Sequence, residues 1–163
     1  MENEQNKMNP EFSIQRIYIK DLSLECPNSP HMFRVEWKPD VNLQINVDTN
    51  RLEEDFFHVI VKVTVTVKNK DQDQEKVAFL IEVQQAGIFL LRHFSDEQRR
   101  HMLGAFCPNI LFPYVRELVS EMATRAGYPP LYLAPVNFDA IYMEQMRQNP
   151  AVESEETGSK IIH

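Results

Sequence analysis

The sequence predicts an α+β fold: a four-stranded antiparallel sheet with C-terminal helices packed on it. Two observations point there. Four segments in the first half alternate apolar and polar residues at the period of a strand, joined by links too short for crossover helices. The second half then switches to the i, i+4 spacing of an amphipathic helix, with a helix-capping pattern at the switch. Strands followed by helices define the α+β class.

Residues Met1 to Glu11 are polar and are expected to form a flexible tail. Phe12 to Leu24 reads as the first strand, because Ile14, Ile17, Tyr18 and Ile19 favour extended backbone. Its alternation is imperfect, which fits apolar contacts on both faces or a bulge. Cys26-Pro27-Asn28-Ser29-Pro30 stops regular structure, and Phe33 and Trp37 fall in the loop before Pro39. Val41, Leu43, Ile45 and Val47 alternate with Asn42, Gln44 and Asn46, a half-buried strand. Phe57, Val59, Val61, Val63, Val65 and Val67 make a longer set, with Ile60 the exception. The polar run Lys68 to Lys76 reads as a hairpin loop, and Val77, Phe79, Ile81 and Val83 as the inward face of a fourth strand.

Ser95 and Gln98 fit a capping box, opening a helix that runs to about Phe106, where Pro108 is expected to interrupt it. Beyond it, Ile110, Tyr114, Leu118 and Met122 recur at i+4, flanked by Leu111, Val115 and Val119. Gly127 is placed to stop this helix. A proline-rich loop, Tyr128 to Pro135, leads to Asn137, which caps a last helix. Val136 and Ile141 occupy the positions of a hydrophobic staple, and Asp139 lies in the first turn, where the helix dipole favours a negative charge. From Pro150 on, Glu153, Glu155 and Glu156 with Gly and Ser indicate a disordered end. The expected organisation is therefore a tail over 1–11, one folded domain over 12–149 and a tail over 150–163.

The 163 residues suit one domain. The formal net charge of −7, with no Lys/Arg cluster beyond Arg99-Arg100, excludes the basic footprint of a nucleic-acid or anionic-membrane binder. Two unpaired cysteines, Cys26 and Cys107, fit a reducing compartment. The start is polar, without the apolar core of a signal peptide, and no apolar run would span or insert into a membrane, so a cytoplasmic location is expected. No phosphate-cradling, nucleophile-elbow or zinc-helix motif occurs. The four glycines disfavour a phosphate loop, and His31, His58, His93, His101 and His163 are scattered without metal spacing. Cys107, before a proline, reads more readily as a small buried hydrophobe than as a nucleophile. The chain is thus read as no enzyme, with no cofactor and no metal.

Two surface features stand out. Asp21, Ser23 and Glu25 alternate with Leu22 and Leu24, which puts two carboxylates on one strand face about 13 Å apart at ~3.3 Å per residue. That is too far for a glycosidase pair. Leu80 and Glu82 lie opposite the inward face of the fourth strand. An apolar residue beside acids fits a docking patch for a basic partner, and equally a solvated sheet face. Trp37, Phe33 and Phe138 fall in or beside loops, where they fit either the wall of an apolar groove or core packing.

These residues resemble the SecB family of bacterial protein-export chaperones. Ile14-Gln15-Arg16-Ile17-Tyr18 with Lys20-Asp21, then Pro27-Asn28 and Pro30-His31, resembles the family's start. Glu82-Val83-Gln84-Gln85 with Gly87-Ile88-Phe89 resembles its fourth strand. Cys107-Pro108-Asn109-Ile110-Leu111-Phe112-Pro113-Tyr114 with Arg116-Glu117, and Leu133-Ala134-Pro135-Val136-Asn137-Phe138-Asp139-Ala140, are highly specific to it. The motifs span about Phe12 to Met146. The resemblance implies a homotetramer, a dimer of dimers with the long helices between dimers. It implies a chaperone that holds unfolded preproteins and passes them to the SecA motor ATPase. The docking face for the basic, zinc-binding C-terminal tail of SecA would be Asp21, Glu25, Leu80 and Glu82. The client groove would involve Trp37, Leu43, Val83, Ile88, Phe89 and Phe138. Ala86 departs from the family's glycine, and the charged stretch Leu91 to Arg100, expected to start the interface helix, departs too. SecB-like chaperones dedicated to one antitoxin are the alternative, and they often lack the docking acids.

Overall fold

A computed structural model describes residues 8–149 and 160–162. Strands β1 (Glu11–Glu25), β2 (Pro39–Glu53), β3 (Phe56–Asp71) and β4 (Gln74–Arg92) form an antiparallel sheet in the order β1-β4-β3-β2. Helices α1 (Asp96–His101), α2 (Cys107–Arg125) and α3 (Phe138–Gln148) follow. This is the expected α+β architecture.

The core lies between one sheet face and the helices. Val59, Val61, Val63, Val65 and Val67 of β3 and Phe79, Ile81 and Val83 of β4 point into it. They meet Leu111, Val115, Val119 and Ala123 of α2. The buried row of α2 therefore runs through Leu111, Val115 and Val119. Ile110, Leu118 and Met122, expected at the stripe's centre, are only half-buried, and Tyr114 is exposed. Apolar residues span more of the helix than one sheet can cover, so periodicity alone does not locate the covered side.

Several elements are longer than the hydrophobic pattern indicates. β3 and β4 continue through the polar run to a two-residue turn, Gln72-Asp73, both with positive φ. Two left-handed residues match the twist of a tight hairpin. The strands persist there because ladder hydrogen bonds do not need an apolar face. β4 likewise reaches Arg92, so the divergent stretch does not open with a helix. Arg92 bonds Asp55 at 3.0 Å and Glu11 at 3.3 Å, and Arg99 bonds Asp96 at 2.8 Å.

Pro108 does not break the helical path. Between α1 and α2 the chain widens into a π turn, Met102–Phe106, closed by Cys107 N–H donating to Met102 O. A π turn shifts the bonding register, which accommodates the donor missing at proline. The predicted caps form. Gln98 N donates to Ser95 Oγ at 3.1 Å, Ser95 N to Gln98 Oε1 at 3.0 Å, and Ala140 N to Asn137 Oδ1 at 3.0 Å. Gly127 takes φ +93°, with Tyr128 N donating to Ala123 O and Gly127 N to Thr124 O. That double bond is the Schellman stop, which needs a left-handed residue at this position.

The expected terminal tails over 1–7 and 150–159 lie outside the described residues. Glu11 already belongs to β1, and Lys160–Ile162 form a short strand, β5, on the β2 edge, pairing Ile45, Asn46 and Val47. A tail without structure was expected there. An edge strand offers unpaired backbone groups to any extended segment that reaches it, even an acidic one.

Candidate functional site

The four expected docking residues meet on the sheet face opposite the helices. β1 and β4 pair so that Glu25 lies across from Leu80, Ser23 from Glu82 and Asp21 from Gln84. Same-face residues alternate along both strands. Glu82 thus sits between the two β1 acids, each on a diagonal of roughly 7–8 Å. Asp21, Glu25 and Glu82 are exposed and Leu80 is half-buried. None of the three carboxylates has an ion-pair partner among the described residues. Thr64 and Thr66 of β3 extend the patch across Glu82 and Leu80. The arrangement is an apolar contact framed by three carboxylates, a geometry that suits a cationic peptide.

The six expected groove residues do not come together. Val83, Phe89 and Phe138 are buried in the core, at 1%, 0% and 0% exposure. Phe138 meets Phe112 edge-on at 5.7 Å, and Phe89 stacks on Phe12 at 5.9 Å. Ile88 belongs to the outer face, beside His58 and Arg16. Only Trp37 and Leu43 stay half-buried at the rim of the core.

Around Trp37 and Phe33, which the sequence left open between groove wall and core, the structure builds a site whose hub the sequence did not single out. Tyr128 is its hub, with Trp37 stacked at 4.8 Å, Phe79 at 5.0 Å and Phe33 at 5.1 Å. The Schellman turn aims Tyr128 inward, and Ser29 Oγ lies 3.4 Å from its hydroxyl. Phe33 is 51% exposed, so one wall faces solvent. A Cβ on Gly127 would come within 3.0 Å of the Phe33 ring, so glycine also clears room for that wall. Sequence spacing could not unite residues from three distant segments. For Tyr128 itself the available signal was Gly127, whose stop fixes where Tyr128 must point.

Outside these regions, several titratable groups are shifted by their surroundings. Burial pushes the Cys107 thiol up to about 12, which removes it as a nucleophile near neutrality. Burial also raises Cys26. His58 is lowered, first by burial and then by Lys20, and its Nε2 lies 2.7 Å from the Tyr18 hydroxyl. Asp71 is lowered chiefly by its hydrogen bond with His31, at 2.8 Å, and further by Lys76. Among the described residues, no group of three or more His, Cys, Asp or Glu could hold a metal ion. No helix among them is long and apolar enough to cross a membrane.

Comparison with known proteins decides the family. Residues 5–149 match the family model described as preprotein translocase subunit SecB. The chain belongs to the SecB family. It is 51% identical over 146 residues to the protein-export protein SecB of Pseudomonas syringae pv. tomato, covering 90% of this chain and 85% of that one. The SecB of Nitrosococcus oceani is 47% identical over 148 residues, covering 90% and 88%. Among solved structures, a SecB-like chaperone of Mycobacterium tuberculosis, bound to a peptide of the HigA1 antitoxin, superposes with a TM-score of 0.62. It is 17% identical and covers 77% of this chain and 90% of its own, which shows the SecB fold alone.

Proposed function

We propose that this chain is a cytoplasmic export chaperone that keeps precursor proteins unfolded and delivers them to the SecA motor ATPase, without catalysing a reaction itself. The observation that carries the reading is identity near one half, across most of both chains, with proteins named protein-export protein SecB. The SecA step is supported by the outer-face patch. Asp21, Glu25 and Glu82 supply attraction to the basic zinc-binding tail of SecA, and Leu80 supplies an apolar contact. Clients are received at the aromatic wall of exposed Phe33 and half-buried Trp37 and along the rim near Leu43. Val83, Phe89 and Phe138 lie in the core and contribute no exposed client contact, and Ile88 offers apolar contact on the other face.

The working assembly is a homotetramer, a dimer of dimers. The half-buried row Ile110, Leu118 and Met122, with exposed Tyr114, supports pairing of α2 between dimers. Exposed Ile14 and Ile19 on the unpaired edge of β1 support a second contact. Weak client sites repeated on four subunits gain avidity through effective concentration.

Two measurements on the full chain test the proposal. Light scattering of a refolding precursor should show suppressed aggregation. Calorimetry with the isolated SecA zinc tail should show binding. Suppression without any tail binding would move the function to a SecB-like chaperone dedicated to one client, such as an antitoxin. Failure of both would end the chaperone reading.

A further inference from the structure

Among the described residues, Asn69 is the one buried side-chain amide near the aromatic site whose hydrogen-bonding capacity is spent on another segment. It is 1% exposed, near the end of β3. Its Oδ1 accepts from Lys38 N at 2.9 Å. Its Nδ2 donates to Glu36 O at 3.0 Å and toward Met32 Sδ at 3.4 Å. Glu36 and Lys38 are the residues on either side of Trp37. The amide orientation is forced, since Glu36 O can only accept and Lys38 N can only donate. A flipped amide would face like with like at both contacts.

The segment it holds is otherwise anchored through side chains, with Val35 and Trp37 packed on the core. Residues 35–38 lie outside helix and strand, between the short 3-10 turn His31–Arg34 and β2. Val35 N bonds back to Met32 O, and among the described residues no other backbone–backbone bond outside the regular elements reaches 36–38. A buried amide is costly unless satisfied, so its three bonds hold together or fail together. They fix the peptide groups on both sides of the Trp37 Cα, which sets where the indole leaves the backbone. The indole then lies on Tyr128 at 4.8 Å and 27°, and Tyr128 is itself fixed by the Gly127 turn.

We propose that Asn69 is a positioning residue for the client surface, clamping the backbone at Glu36 and Lys38 so that Trp37 is held face-on to Tyr128. This rests on the reading of Trp37 as a client contact. An indole ordered in advance presents its area without an entropy cost at the moment of binding. A loose 35–38 segment would incur that cost with each client.

Trp37 is the only tryptophan, so its emission reports the clamp directly. The experiment compares full-length wild type with Asn69→Leu, Trp37→Ala and the double variant. The probe is dye-labelled, reduced and carboxymethylated lactalbumin, which cannot refold. Asn69→Leu should lower Trp37 anisotropy, move its emission to longer wavelength and weaken probe affinity about five-fold, the scale of one net hydrogen bond. In the Trp37→Ala background the same change should have no further effect on affinity. Unchanged Trp37 emission and anisotropy in a folded Asn69→Leu chain would overturn the clamp. An equal loss of affinity with and without Trp37 would overturn it too, since Asn69 would then act on the fold at large. If Trp37→Ala alone leaves affinity unchanged, the client reading fails, and the emission of Asn69→Leu tells that failure from a failed clamp. Should the leucine variant not fold, Asn69→Asp keeps the acceptor for Lys38 N and loses the donor to Glu36 O. Its emission and affinity should shift the same way, and no shift in that folded variant would equally overturn the proposal.

Discussion

Replacing Glu82 with lysine is the sharpest test of the docking face. Glu82 faces the gap between Asp21 and Glu25 across the β1–β4 ladder, and Leu80 is its neighbour on the same strand face. The patch carries three carboxylates, so the change takes its formal charge from −3 to −1 and places the new cation at the centre. All three acids are exposed, which puts each contact with a bound cation at the weak end, roughly 0.2–1 kcal/mol. Reversal removes one such attraction and adds a repulsion of similar size. The expected loss is about 0.4–2 kcal/mol, or about 2–30-fold in Kd for the SecA zinc tail. Titration calorimetry at two salt concentrations reads it. Wild-type affinity should fall as salt rises, because exposed charges are screened over about 8–10 Å, and the Glu82→Lys chain should show a shallower fall. Client binding should be untouched, because the aromatic site lies across the sheet. Wild-type affinity in the Glu82→Lys chain, with native circular dichroism, would refute the placement of the docking face. A loss that salt does not change would refute its electrostatic basis.

Three further outcomes follow from the geometry. Asp71 is held below the ordinary carboxylate value by His31 and Lys76, so its contribution is complete above that value and is lost as pH falls through the depressed one. Melting temperature plotted from pH ~6 downward should therefore fall less in Asp71→Asn than in wild type below pH ~4, near the ordinary Asp pKa. Identical acid limbs would sink the assignment. The Cys107 thiol, pushed up to about 12, should resist iodoacetamide in the native chain at pH ~8.5 and react on unfolding, read by peptide mass spectrometry. Gly104→Ala would set a Cβ 2.7 Å from the Tyr142 ring and should cost about 1–3 kcal/mol in urea unfolding. Adding Tyr142→Ala should leave Gly104→Ala with a smaller cost, and full additivity would argue against the clash.

The sheet was legible because its inner face is nearly pure. Five valines at period two on β3 leave one reading, and the register follows once that face is fixed. The ends of the strands were not legible, since beyond the helix layer no apolar alternation marks an inner face. Gln74 to Lys76 carries no alternation, yet the ladder runs through it. Pro108 misled for a different reason. A proline breaks a helix only if the helix keeps its register, and the π turn before it does not. Composition gives no sign of such a turn, and Gly104 within it matters through its approach to Tyr142.

The acidic strand face could be read from the sequence as one patch, while of the aromatic site only Phe33 and Trp37 could be named, as groove wall or core, for one physical reason. Alternation on a strand already says which side chains share a face, so Asp21, Glu25, Leu80 and Glu82 needed only the pairing of two strands to become one patch. The aromatic site draws on an irregular loop, the inward face of β4 and a helix stop, which share no period. Its parts are brought together by single interactions: Gly127 turning Tyr128 inward, and Asn69 holding the chain beside Trp37. Such interactions have no sequence signature, because an asparagine near a hairpin reads first as a turn residue. The burial of Phe138, Phe89 and Val83 follows the same logic. Aromatic and aliphatic side chains near a groove are also what fills a core, and only the position of the helix layer separates the two roles.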